Sequence, residues 1–175
     1  AEALSGQFTA GLAANFRVSW ELVARTGATT DDAVSMLGEA KGAEFDIALL
    51  ALGVNDAVRL VSVSKWRAKQ RALRQRLRDE FGVQLLLVTA VPPLSQFPAL
   101  TPILKWILGH QAMRLDCALR GDLNTETDAV HLMLDVELGP DAMAVDGYHP
   151  SEETYALWGR GAAEICREQF KKSSG

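Results

Sequence analysis

Two apolar runs constrain this chain more than anything else in it. "FDIALLAL", from Phe45 to Leu52, and "VQLLLVTA", from Val83 to Ala90, have the length and composition of strands buried on both faces. Between them lies "SKWRAKQRALRQRLR", in which Trp66, Leu73 and Leu77 recur at helical spacing. A strand, a long helix and a strand joined by short links predict a parallel sheet with a crossover helix. The seven basic side chains from Lys65 to Arg78 read as the solvated face of that helix, with an anionic partner as the lesser reading.

The flanking segments extend the alternation. "EALSGQFTAGLAA" places Leu4, Phe8 and Leu12 four apart, which predicts an amphipathic helix despite two glycines. "FRVSWELVA" alternates Phe16, Val18, Trp20 and Leu22, which predicts a strand. "TTDDAVSMLGEA" opens with Thr29 and Asp32 in capping-box spacing and continues as a helix. Thr101 and Pro102 read as an N-cap and first helical residue, followed by an apolar face of Ile103, Leu104, Ile107, Leu108, Leu115 and Leu119. "AVHLMLDV" is a further strand candidate, and the last helix follows Ser151. The chain is 175 residues long, has no internal repeat or linker-like stretch, and suits one domain spanning 1–175.

Bulk properties exclude more than they assign. A net charge of −4 gives no reason to expect nucleic acid as a partner. No run approaches the length of a membrane span, and the compartment stays open. Cys117 and Cys166 sit in apolar helical patterns and read as buried, inert thiols, with no metal-ligand spacing around them.

In parallel sheets ligands bind beyond the C-terminal strand ends, so the residues after each strand matter most. The first such loop, "ARTGATTDD", holds Gly27, and the second, "ALGVNDAVR", holds Asn55 and Asp56. Near the C-terminus "AVDGYHPSEETYALWG" sets Asp146 and His149 on one turn. A bare peptide, a side-chain amide and a carboxylate–imidazole pair form a coherent set for acyl transfer. Each also has a plain structural reading. Gly27 could serve a turn with positive φ, Asn55 and Asp56 a turn or cap, and Asp146 and His149 loop stability. His131 lies in a strand pattern and His110 in a helix, so both read as structural.

On these residues the chain resembles the SGNH, or GDSL, hydrolases. "LALGVND" is similar to their Gly-x-Asn-Asp block, "VDGYHPS" to their closing Asp-x-x-His block, and "ARTGATTDD" to the block carrying an oxyanion-hole glycine. The blocks fall in family order, and the resemblance covers essentially the whole chain. It implies a flavodoxin-like three-layer α/β/α sandwich and hydrolysis of carboxylic esters through an acyl-enzyme. His149 would be the base, Asp146 its orienter, and Gly27 N–H with the Asn55 side chain the oxyanion donors. It implies a small acyl-ester substrate and neither metal nor organic cofactor. Esterases, lipases, thioesterases and carbohydrate deacetylases share these blocks. "LSQFPALTPILKWILGHQAM", with Phe97 and Trp106, could line an acyl groove or simply pack a core.

The chain departs from the family pattern at its start. Members begin with a strand running into Gly-Asp-Ser, whereas "AEALSGQFTAGLAA" resembles the helix after that block. Reading "SGQFTAGL" as a degenerate first block puts Gln7, an amide, at the nucleophile position. Ser5 and Ser35 fall within helices, and Ser95 follows a strand without the sharp strand-to-helix turn that activates a serine. The expectation is a domain without its first strand in residues 1–175, with the nucleophile upstream of Ala1. The exposed sheet edge left behind would favour self-association. The alternative is a catalytically inactive binding or interaction module on the same scaffold. A flavodoxin-like nucleotide binder finds less support, since neither a P-loop nor a dinucleotide glycine pattern occurs.

Overall fold

A computed structural model describes residues 4–38, 43–133 and 140–173. The chain divides into two compact units, one formed by 1–22, 97–99 and 135–175, the other by 23–96 and 100–134.

The second unit contains the sheet. Strands β1 (Ile47–Leu50), β2 (Leu85–Thr89) and β3 (Ala129–Leu132) run parallel in the order β1-β2-β3. Their register pairs Ile47 with Leu85 and Leu86 with Ala129. Before β1 stands α2 (Thr30–Leu37), and after it the short α3 (Val54–Val58). The crossovers are α4 (Val63–Phe81), between β1 and β2, and α5 (Pro102–Leu123), between β2 and β3. Parallel crossovers are almost always right-handed, and two that step the same way along a sheet put their helices on one face; α4 and α5 do touch. All five residues of β2 are buried. Those of β1 are half-buried, so its reading as a strand covered on both faces is corrected: among the described strands β1 is an edge.

Local signals set the helix ends. Thr29 caps α2 in a full capping box with Asp32, as its spacing predicts. Ser62 caps α4, and Gly82 ends it at φ 67°. Pro102 stands at the start of α5, although Thr101 makes no side-chain capping bond. Among the described residues no helix is long and apolar enough to cross a membrane.

Three expectations are corrected here. Trp66, Leu73 and Leu77 of α4 are buried, but Gln70 and Arg74 lie in the same stripe and are buried too. The basic residues are therefore not simply a solvated face. Arg67 and Arg71 bind the Asp122 carboxylate, Arg74 binds Glu126, and Arg78 binds Glu126 and Asp128. The anions that bind these arginines come from the last turn of α5, which holds Asp122, and from the turn after it. Along α5, Leu108, Leu115 and Leu119 are buried, whereas Ile103, Leu104 and Ile107 are exposed. Cys117 is exposed on the same helix, so its reading as a buried thiol does not hold.

"FRVSWELVA" forms no strand. Alternation supplies a face but not a ladder, and no described segment hydrogen-bonds to it as a neighbouring strand. Phe16, Trp20, Leu22 and Val23 stay exposed, with Phe16 resting 6.3 Å from the Phe170 ring. The strand expected over "AVHLMLDV" is observed for Ala129–Leu132, and the positions from Leu134 lie outside the described residues.

The other unit pairs α1 (Leu4–Ala13) with α6 (Glu152–Ser173). Leu4, Phe8 and Leu12 are the buried face of α1, as their spacing predicts. The glycines explain how closely the helices meet. A Cβ on Gly11 would stand 2.8 Å from the Ala163 Cβ, and one on Gly159 2.6 Å from the Gln7 Cβ. Cys166 is buried on α6, and burial pushes its thiol up to about 12.

Candidate active site

In the first unit the chemistry sits on the turn that leads into α6. Met143 and Pro150 form an antiparallel bridge, Ala144 N–H donates to the His149 carbonyl at 2.7 Å, and Gly147 N–H donates to the Ala144 carbonyl. Gly147 takes φ 67° and lies against Ala99, where a Cβ would come within 3.1 Å. Ser151 N–H donates to the Ala142 carbonyl, and the Thr154 hydroxyl donates to that same carbonyl. The turn is thus tied to the helix that follows.

This frame folds the Asp146 carboxylate back over its own chain. One oxygen accepts the N–H groups of Tyr148 at 2.9 Å and His149 at 3.0 Å. The other stands 2.6 Å from His149 Nδ1. The backbone N–H of His149, then its ring, hold the Asp146 carboxyl down at about 2, so it is ionised at neutral pH. An ionised partner requires the proton on Nδ1, which leaves Nε2 as the lone-pair nitrogen of the neutral ring. Both side chains are exposed, at 69% for His149 and 49% for Asp146. The arrangement can take a proton at Nε2 and stabilise the resulting imidazolium.

The second unit brings Gly27 and Asn55 together. Gly27 takes φ 76° with open space where a side chain would stand. α3 holds the Gly27 loop at three points. Asn55 Nδ2 donates to the Ala28 carbonyl at 3.0 Å, and Arg59 donates to the Gly27 carbonyl at 3.1 Å. The buried Asp56 carboxylate accepts Thr30 N–H and the Thr30 hydroxyl, each at 3.0 Å to one oxygen. Gln70, reaching in from α4, donates to that hydroxyl. Burial pushes the Asp56 carboxyl up, against the Thr30 bonds that lower it. Asn55 retains a second amide N–H beyond the one that binds Ala28.

α3 itself starts at Gly53, whose φ of 115° is open only to glycine at low cost. A Cβ there would meet Val91 Cγ2 at 2.6 Å, so the loop after β1 rests directly on the loop after β2.

The remaining candidates occupy plainer settings. His110 bonds the Trp106 carbonyl through Nδ1 and stands 5.0 Å from the Trp106 ring. His131 pairs with Asp116 at 2.9 Å. Phe97 is buried and Trp106 exposed. Ser5 lies in α1, Ser35 in α2 and Ser95 in the 3-10 turn Leu94–Gln96. Among the described residues no cluster of three or more His, Cys, Asp or Glu could ligate a metal. Sequence reasoning missed Arg59 as a tether of Gly27 and the Asp116–His131 pair. Both are long-range contacts between residues with no shared motif.

The sequence profile of the GDSL-like lipase/acylhydrolase family matches residues 1–157. Among solved structures, a carbohydrate acetylesterase from Sinorhizobium meliloti superposes with a TM-score of 0.63 at 18% identity. That match covers 96% of this chain and 86% of the other, and the likeness is one of fold. No curated protein matches the sequence.

Proposed function

The chain belongs to the GDSL-like lipase/acylhydrolase family, with the three-layer α/β SGNH fold, and on that premise we propose that it is a serine esterase working through an acyl-enzyme. The observation that carries the proposal is the Asp146–His149 pair, held at 2.6 Å through Nδ1 by an ionised carboxylate. A neutral imidazole with its Nδ1 proton fixed is a general base aimed through Nε2.

In this reading a serine Oγ attacks the ester carbonyl carbon as His149 Nε2 takes its proton. Asp146 offsets the imidazolium charge. The tetrahedral oxyanion is held by the Gly27 N–H and the second N–H of Asn55. On collapse His149 returns the proton to the leaving alkoxide, and water repeats the sequence to release the acid. The scheme uses no metal or organic cofactor. The substrate class is a simple carboxylic ester, and an acetyl ester is the first to try, since the structural neighbour is an acetylesterase.

No nucleophile is assigned to Ser5, Ser35 or Ser95. Ser5 and Ser35 lie within helices, and Ser95 lies in a 3-10 turn without a helix directly behind it. The same observation favours a second reading, a non-catalytic module on this scaffold. Fluorophosphonate labelling of the natural polypeptide, followed by peptide mapping, separates the two. The enzyme reading expects one modified serine other than Ser5, Ser35 and Ser95, with labelling lost in His149→Ala. A protein that neither labels nor cleaves aryl acetates is the non-catalytic module. Modification of Ser5, Ser35 or Ser95 would overturn their exclusion as nucleophiles.

A further inference from the structure

We propose that Asp116, backed by His131, is a positioning residue for the Asn55 amide, an inference that rests on the oxyanion role given to Asn55 above. Asp116 lies on α5, outside both loops that carry Gly27 and Asn55, and belongs to no motif. Its Oδ1 nonetheless accepts two bonds that cross the fold. Val91 N–H donates to it at 2.9 Å, and His131 Nε2 stands at 2.9 Å. The imidazole is nearly buried, at 9% side-chain exposure, and comes from β3. One carboxylate oxygen therefore joins α5, β3 and the chain just after β2.

What Val91 does gives this junction its purpose. Ala90 N–H still donates to the Leu132 carbonyl, so the ladder between β2 and β3 ends there. Val91 is the first residue beyond it, and Pro92 and Pro93, which follow, carry no N–H to hold the chain. Asp116 supplies the anchor the ladder no longer provides. The Val91 side chain, 4% exposed, then forms the seat of Gly53, with Cγ2 filling the space a Cβ would need.

Gly53 is the N-cap of α3, and α3 has only five residues. So short a helix has little stiffness of its own, and its direction is set by its anchors. Asp56 fixes it to Thr30 on one side, and Val91 supports it beneath Gly53. Asn55 lies between these two anchors, one residue before Asp56 and two after Gly53. A shift of Val91 moves the seat of Gly53, and Asn55 moves with it. Asp116 touches no substrate in this scheme. It acts through Val91 and Gly53.

The test is a double-mutant cycle on the natural polypeptide, with hydrolysis of an aryl acetate as the readout. Misplacing a catalytic group by a fraction of its reach costs roughly tenfold to hundredfold. Asp116→Ala should lower kcat by about that factor while KM changes less than about twofold. Asp116→Asn keeps an oxygen for Val91 N–H and should return kcat to near wild type. In an Asn55→Ala background, Asp116→Ala should cost almost nothing further, because the group it positions is gone. If Asp116→Ala does not fold, Val91→Ala, which removes both methyls under Gly53, replaces it in the same cycle with the same expectation.

Losses that multiply independently in the double variant would overturn the inference while leaving the esterase reading intact, as would failure of Asp116→Asn to rescue. Wild-type kcat in Asn55→Ala alone would overturn the oxyanion assignment, and this inference with it. The two failures are therefore distinguishable in one set of measurements.

Discussion

Glu126→Ala should unfold this protein far more readily than its place in a surface turn suggests. Arg74 has no exposed side-chain area, and its guanidinium meets the Glu126 carboxylate at 2.7, 3.1 and 3.2 Å. Its Nη1 has no partner among the described residues. Removing Glu126 strands a full charge in the core, and breaking a buried pair from one side costs about 3–5 kcal/mol. Glu126 is itself 20% exposed and shared with Arg78, which favours the lower end of that range. In a chain of this length about 3 kcal/mol corresponds to roughly 6–12 °C in Tm. Arg74→Met fills the same space without a charge and leaves Glu126 its Arg78 partner, so it should cost clearly less. Glu80→Ala, which removes the exposed partner of Arg76, should change little.

Acid should erase the difference. Burial pushes the Glu126 carboxyl up, but the bonds from Arg74 and then Arg78 outweigh it, leaving it below its ordinary 4.5. A lowered carboxyl stabilises the fold above the unfolded value, and that contribution is lost as pH falls through the folded one. Urea titrations of wild type and Glu126→Ala at pH 7 and pH 3 measure this directly. A Glu126→Ala cost within about 1 kcal/mol at pH 7, or a larger cost for Arg74→Met than for Glu126→Ala, would refute the reasoning.

Other outcomes follow from the site. Asn55→Ala should lower kcat by about 10²–10³, read in steady-state hydrolysis with folding checked by circular dichroism. Asp146→Asn loses the charge that fixes the imidazole and should lower kcat by about 10⁴. By carboxyl-carbon NMR, Asp146 should titrate near 2 instead of 3.8; its contribution to stability is complete above 3.8 and disappears as pH falls through about 2. Gly159→Val forces a side chain into the Gln7 backbone and should lower stability by about 1–3 kcal/mol in urea titration.

What the sequence made legible was what is local. The Asp146–His149 contact spans three positions, so the turn could be read from "DGYH" before any fold was known. The Thr29–Asp32 capping box and the spacing of Leu4, Phe8 and Leu12 were readable for the same reason. Strand β2 stood out because burial on both faces leaves a continuous apolar run. Where partners lay far away, pattern misled. Phe16 to Leu22 alternates as a strand should, yet no described neighbour pairs with it. The basic run of α4 looked like solvated surface because its acids, Asp122, Glu126 and Asp128, arrive some fifty positions later, as the Arg71–Asp122 and Arg78–Asp128 bonds show. The link from Asn55 to Ala28 spans 27 positions and no periodicity announces it.

The most direct test of the account is turnover of an aryl acetate by the natural polypeptide beside its His149→Ala variant, at matched folding. The account predicts measurable hydrolysis in the first and a fall in kcat of at least about 10⁴ in the second. Equal rates in the two proteins would contradict it.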